Sequence, residues 1–87
     1  MQEDDVTARI VTYTREKLAP AELAEQIDET SPLLEMGILD SLKTAMLLNF
    51  IREQMGVRVP PRMIEFANFK DVTSIATMVR QLLSASA

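Results

Sequence analysis

Apolar side chains recur at helical spacing in three stretches of the chain. The middle stretch is the most regular, because its apolar positions fall at i, i+3, i+4, i+7 and i+11 between Ser41 and about Met55. Asp40 is suited to cap the start of this helix, and Gly56 is suited to end it. The predicted core-facing stripe consists of Thr44, Leu47, Leu48, Ile51 and Met55. The pattern therefore predicts an amphipathic helix that begins at Ser41.

Two further long helices are predicted, one near each end of the chain. The first runs from about Glu3 to Leu18 and ends there because Pro20 pushes the residue before it out of the α region. The last begins after Asp71, which can cap it, and runs to about Leu83. Their predicted buried faces are Val6, Ile10, Tyr13 and Leu18 in the first helix, and Val72, Ile75, Val79, Leu82 and Leu83 in the last.

A long segment without sustained periodicity, Pro20 to Leu39, separates the first two helices. It contains Ser31-Pro32 and Gly37, which are typical of turns, and a turn of helix is predicted around Glu22 to Glu25. Loops of this length in compact domains are usually functional or disordered. Four apolar residues favour an ordered loop that packs on the core: Ile27, Leu33, Leu34 and Ile38.

The chain between the second and last long helices is shorter and more irregular. An extended connection is predicted from Val57 to Pro61, and a brief third helix within Pro61 to Ala67. Strand-like alternation is limited to Val57 and Val59, so no sheet is expected. These elements predict an all-α fold, a small four-helix bundle with a long loop between helices one and two. We expect residues 1–87 to form a single domain, near the lower end of what folds alone.

Cysteine and histidine are both absent from the chain. The missing cysteine excludes disulfides and thiolate metal sites, and the missing histidine removes the usual general base and the commonest metal ligand. Any catalysis would have to use carboxylates, hydroxyls and amines alone. We therefore expect a protein that is not an enzyme and holds no metal.

Charge and hydropathy narrow the class of partner. The longest apolar run, Ala45 to Leu48, is far too short to span a bilayer, and the N-terminus is acidic, unlike that of a signal peptide. A net charge of −4 argues against nucleic acid, whose phosphates attract basic surfaces. We expect a soluble cytoplasmic protein with neither a nucleic-acid nor a membrane partner.

The charges are unevenly distributed along the chain. Six acids and no base lie from Ala19 to Leu42, whereas five bases and two acids lie from Lys43 to Lys70. This asymmetry has two interpretations: a solvated surface with random clustering, or a surface whose charge faces a partner.

Ser41 is the candidate functional residue, because it stands where the acidic loop gives way to the best helix. In one interpretation it is only a tolerated first-turn residue beside the Asp40 cap. In the other it is an attachment point for a phosphate-linked group, because free backbone N–H groups and the helix macrodipole favour a phosphate there. Its place after a long, ordered loop and near the middle of the chain favours attachment.

These motifs resemble those of acyl carrier proteins and of the closely related peptidyl and aminoacyl carriers. The resemblance covers nearly the whole chain and is carried by Ser31-Pro32-Leu33-Leu34-Glu35-Met36-Gly37, Asp40-Ser41-Leu42 and Val57-Arg58-Val59-Pro60. It implies that Ser41 carries 4′-phosphopantetheine, attached by a separate phosphopantetheinyl transferase. It also implies that Asp40 helps to present Ser41, and that Leu42 lies in the partner interface.

The spacing before the serine indicates the kind of carrier. Two residues separate Gly37 from Asp40-Ser41, and this Gly-x-x-Asp-Ser pattern resembles stand-alone carriers of D-alanine, other amino acids and unusual extender units. Asn68-Phe69-Lys70-Asp71 is similar to the same groups. The resemblance implies a free-standing, monomeric carrier of natural-product (polyketide or nonribosomal peptide) biosynthesis. An adenylating or acyl-transferring enzyme would load it, and downstream synthase or tailoring enzymes would use the cargo.

Helix two also predicts a partner-binding surface. Beside Ser41 this surface consists of Leu42, Lys43, Ala45, Met46 and Asn49, and we expect partners to bind it mainly through apolar contacts. Fatty-acid enzymes, which dock on acidic carriers, are expected to recognise it poorly. Three alternatives stay open: a D-alanyl carrier of cell-wall modification, a non-carrier helical adaptor, and a small carboxylate enzyme.

Overall fold

The structure, a computed structural model, describes residues 2–86 and their side chains from Val6 to Ala85. All regular elements in this part of the chain are helices and none is a strand, so the predicted all-α fold is confirmed. The elements are α1 (Gln2–Tyr13) with a π-helical turn (Thr14–Leu18), α2 (Ala21–Ala24), α3 (Ser41–Met55), a 3-10 turn (Pro61–Met63), α4 (Phe66–Phe69) and α5 (Val72–Ser86).

The hydrophobic core lies between the three long helices and the loop that joins α1 to α3. Residues from every one of these segments contribute, which explains why the loop carries apolar side chains at all. The buried apolar residues are Val6, Ile10, Leu18, Ile27, Leu33, Ile38, Leu39, Leu47, Ile51, Val57, Phe69, Val72, Ile75, Ala76, Met78 and Val79.

The loop between α2 and α3 is ordered by hydrogen bonds as well as by burial. Arg15 Nε donates to the Ile27 carbonyl at 2.8 Å, and Leu33 N–H donates to the Lys70 carbonyl at 2.8 Å. Ile27 and Leu33 are both fully buried. The expectation that this long segment packs on the core is confirmed, because bonds to α1 and to the start of α5 hold it in place.

A tight turn closes the acidic part of this loop. The backbone N–H and the hydroxyl of Thr30 both donate to Asp28 Oδ1 at 2.9 Å. The backbone N–H of Thr30, followed by its hydroxyl, holds the pKa of Asp28 below its ordinary value of 3.8, because both bonds favour the carboxylate. At least one residue of the predicted acidic surface therefore has a structural role.

The first helix departs from the prediction at its end. It reaches Leu18 as expected, but Thr14 to Leu18 form a π turn in which Ala19 N–H donates to the Thr14 carbonyl at 2.8 Å. The Thr14 hydroxyl is buried without a hydrogen-bond partner among the described residues. The spacing of apolar residues cannot reveal this turn. Over only five residues, a π helix and an α helix bury nearly the same positions.

The third helix is broken into two short pieces, where one brief helix was predicted within Pro61 to Ala67. A 3-10 turn covers Pro61–Met63, and α4 follows at Phe66–Phe69. Ile64 separates them because its backbone (φ −85°, ψ 84°) lies outside the helical region.

The predicted buried face of the last helix was partly wrong. Leu83 was predicted to be buried but is 37% exposed, whereas Ala76 and Met78 are buried instead. The helix continues to Ser86, so its last turn extends beyond the core that it covers.

Removing a buried loop side chain tests whether the loop is part of the core. We expect Ile27→Ala to lower the free energy of unfolding by about 2 to 4 kcal/mol, because it leaves a cavity in the part of the core that the loop fills. Exposed Glu25→Ala is the matched loop control and should change it by less than about 0.5 kcal/mol. Urea unfolding followed by circular dichroism measures both, and equal values for the two variants would contradict an ordered loop.

Candidate functional site

The two residues before Asp40 fix the start of α3. Ile38 is 1% exposed and Leu39 is 4% exposed. Their backbone N–H groups both donate to the Leu33 carbonyl, at 2.9 Å and 3.3 Å. Gly37 permits this path because its φ of +75° lies in the left-handed region, where a side chain would be strained. The chain therefore leaves the core at a fixed point and reaches the surface at Asp40.

Asp40 caps α3 through both its side chain and its backbone, which confirms the predicted N-cap. Its Oδ1 accepts a hydrogen bond from Lys43 N–H at 2.8 Å, and its carbonyl accepts one from Thr44 N–H at 2.8 Å. The N–H groups of Ser41 and Leu42 have no backbone acceptor among residues 2–86. Together with the positive end of the 15-residue helix, these two donors favour an anion beside Ser41.

Ser41 is the first residue of α3 and is exposed. Its hydroxyl makes no hydrogen bond with any side chain or backbone group that the structure describes. No imidazole exists in the chain to activate it. The hydroxyl is therefore accessible from solvent.

The first turns of α3 are fastened to the end of the first helix. Lys43 Nζ donates to the Leu18 carbonyl at 3.0 Å, and the Tyr13 hydroxyl donates to the Met46 carbonyl at 3.3 Å. The rings of Tyr13 and Phe50 stack with centroids 4.2 Å apart. These contacts hold the helix that presents Ser41 as a rigid support.

The five residues of the predicted partner surface do not share one environment. Leu42 is 67% exposed, and Ala45 and Asn49 are also exposed. Met46 is half-buried and packs against the core. Lys43 is half-buried, and its ammonium group is engaged by Leu18. Leu42 is therefore the large apolar side chain of this surface that is freely accessible.

Two exposed apolar residues after α3 were not singled out from the sequence. Ile64 is 41% exposed and Phe66 is 59% exposed. Phe66 lines a narrow cleft of about 80 Å³ together with Pro32 and Leu34 of the loop. One sequence signal could have predicted their exposure. Both are large apolar residues in a short segment after Pro60 and Pro61, where no long helix can bury them.

Two other kinds of site are not found in the described chain. No group of three or more Asp or Glu side chains is arranged to hold a metal ion within residues 6–85, where side chains are described. No helix in the same range is both long enough and apolar enough to cross a membrane.

The helical fold agrees with a comparison to known families. The family model described as "Phosphopantetheine attachment site" matches residues 10–82. The chain therefore belongs to the phosphopantetheine-binding family of acyl and peptidyl carrier proteins, in which 4′-phosphopantetheine is attached covalently. Proteins of this family work with a phosphopantetheinyl transferase and with partner enzymes.

A curated relative supports the same family, and a chain in one solved structure shares the fold. The chain is 34% identical over 56 residues to "Probable acyl carrier protein PigG" of Serratia sp., and the aligned segment spans 64% of each protein. It is also similar to a chain in a solved structure described as "Crystal structure of FAD-dependent dehydrogenase". That match has 36% identity and a TM-score of 0.74, and it covers 82% of this chain and 99% of the other.

The cap can be tested without reference to function. We expect Asp40→Ala to lower the free energy of unfolding by about 1 kcal/mol, because Lys43 N–H loses its acceptor. Asp40→Asn should lower it by less, since the amide oxygen can accept the same bond. Urea unfolding of the three proteins is the measurement, and an Asp40→Ala variant as stable as the parent would show that the cap contributes nothing.

Proposed function

We propose that this chain is a free-standing phosphopantetheine-dependent carrier of specialised metabolism and that Ser41 is its attachment residue. The observation that carries the proposal is the exposed, unbonded Ser41 at the capped start of α3 in a member of this family. The attached group supplies a thiol that holds a small acyl or aminoacyl group as a thioester. The chain has no cysteine, so no other thiol in it competes for the cargo.

The residues of the chain bind and present, and they do not catalyse. Ser41 contributes the oxygen that forms the phosphodiester bond, as the pyrophosphate bond of coenzyme A breaks and adenosine 3′,5′-bisphosphate leaves. The transferase removes the hydroxyl proton. Asp40 and the Ile38-Leu39 anchor hold that oxygen at the surface. The N–H groups of the first helical turn stabilise the phosphate once it is attached.

The cargo proposed for this carrier is a small acyl or aminoacyl group used in natural-product assembly. Two observations support it: the two-residue spacing between Gly37 and Asp40, and the similarity to a probable acyl carrier protein. A dedicated adenylating or acyl-transferring enzyme would load the thiol, and the carrier would work in the cytoplasm.

We also propose a FAD-dependent dehydrogenase as one tailoring partner. The support is the solved structure with that description, since the aligned chain within it has the size of a carrier. In such a step the tethered acyl group would lose two hydrogen atoms, that is two protons and two electrons, and the dehydrogenase's FAD would accept them. The carrier's part is to place the tethered group in the dehydrogenase's active site.

Intact-mass measurement tests the attachment residue. After incubation with coenzyme A and a promiscuous phosphopantetheinyl transferase, we expect the parent chain to gain one phosphopantetheinyl group. Ser41→Ala should gain none, because the accepting oxygen is removed.

Ser84→Ala, which changes an exposed serine on α5, is the control and should be modified like the parent. A parent chain that stays unmodified would instead favour the helical adaptor, in which Ser41 only begins a helix.

The partner surface is tested by introducing a charge at Leu42. We expect Leu42→Glu to raise the half-saturating carrier concentration of the loading enzyme by about tenfold, because a carboxylate replaces an exposed apolar contact. Leu42 is a clearer target than Met46, since Met46 also packs on the core.

Gln81→Glu adds the same charge to an exposed position of α5 and should leave the loading kinetics unchanged. If Leu42→Glu and Gln81→Glu behaved alike, loading would not depend on this surface.

A further inference from the structure

A groove of about 290 Å³ lies between α3 and the extended segment that follows it. Leu48 and Val59 are half-buried and form its apolar floor, while the side chains of Arg52 and Arg58 are exposed at its rim. Asn49 completes the lining, and no acidic residue contributes to it. The groove therefore combines an apolar floor with two positive charges.

The groove lies on the same face of α3 as Ser41. Counting along the helix, Ser41, Ala45, Leu48 and Arg52 fall at i, i+4, i+7 and i+11, which align on one side. At about 1.5 Å per residue, Leu48 lies about 10 Å and Arg52 about 16 Å along the axis from Ser41. A protein that receives the group attached to Ser41 is thus brought over this groove.

The two arginines are only weakly neutralised within the chain. Arg52 Nη2 donates to Asn49 Oδ1 at 2.6 Å, which orients the guanidinium but adds no negative charge. Its ion pair with Glu53 is long, at 4.0 Å, and both side chains are more than half exposed, so the pair is weak. Arg58 has no hydrogen bond or ion pair within the described part of the chain.

We propose, resting on the proposed function, that this groove docks a partner enzyme through an apolar side chain flanked by carboxylates. The apolar side chain would pack on Leu48 and Val59, and the carboxylates would pair with Arg52 and Arg58. The carrier has a net charge of −4, so this basic rim runs against its overall charge and selects an acidic contact. This assigns a role to two of the bases that follow Lys43 in the sequence.

A tethered cargo is a poorer occupant of the groove than a protein surface. The groove is open to solvent, and its arginine side chains are exposed, so a small acyl group would leave both charges hydrated. A protein surface covers the rim as well as the floor. Covering the rim lowers the local dielectric, which increases the Coulomb attraction within each ion pair.

Charge reversal at the rim tests the proposal. The probe is the enzyme that loads the holo protein, purified from the producing cells by its loading activity. We expect Arg52→Glu and Arg58→Glu each to raise its half-saturating carrier concentration by about tenfold, with the maximal rate unchanged, because an attraction becomes a repulsion. The control, Lys17→Glu, makes the same charge change at an exposed position of the first helix and should have no effect.

Salt provides a second readout of the same contact. For the parent chain, the half-saturating concentration should rise with sodium chloride, because salt screens the ion pairs. For the variant with both arginines changed to alanine, it should be high and nearly independent of salt. A merely structural role for the arginines would not produce this difference.

Three outcomes would overturn the docking proposal. In the first, both arginine variants behave like Lys17→Glu. In the second, they shorten the lifetime of the loaded thioester without changing half-saturation, which would assign the groove to the cargo. In the third, the parent chain never gains the phosphopantetheinyl group, which would refute the proposed function as well. The promiscuous transferase separates the first two outcomes from the third. In the first two it modifies the parent and the arginine variants at equal rates, and in the third it leaves the parent unmodified.

Discussion

The position of Ser41 depends on one backbone carbonyl. The Leu33 carbonyl accepts the N–H groups of both Ile38 and Leu39, whose side chains are buried immediately before the helix cap. Leu33 N–H is in turn bonded to the Lys70 carbonyl at the start of α5. The end of a long loop is thereby fixed to two parts of the core. Because of this anchor, α3 begins at a defined point on the surface.

The polar side chains around this anchor have positioning roles. Asp40 caps α3, Lys43 binds the carbonyl at the end of the first helix, and Tyr13 stacks on Phe50. None of them is arranged as an acid or base beside the Ser41 hydroxyl. These side chains hold the start of α3, and with it Ser41, in place. In our proposals, the face around Ser41 would select partner proteins through the apolar side chain of Leu42 and the arginine-rimmed groove.

Local signals predicted the start of α3 well. The cap at Asp40, the helical spacing after it and the glycine at Gly56 agree with one another, and each acts over a few residues. Exposure was harder to predict because it depends on where the core ends. Met46 lies at the margin of the buried face and packs on the core. Leu83 belongs to the predicted buried stripe of the last helix, but it lies beyond the end of the core and is exposed. The exposure of Phe66 depends on a break in the third helix, and the spacing of apolar residues does not predict that break.

The central claim is that the Ser41 oxygen is the tether. Protein purified from its producing cells can be cleaved after glutamate, which releases residues 36–53 with Ser41 as the single serine. Tandem mass spectrometry of that peptide then locates any modification. The account predicts a phosphopantetheinyl group on Ser41 and none on peptides that contain the other serines. An unmodified Ser41, or a group attached at another residue, would contradict it.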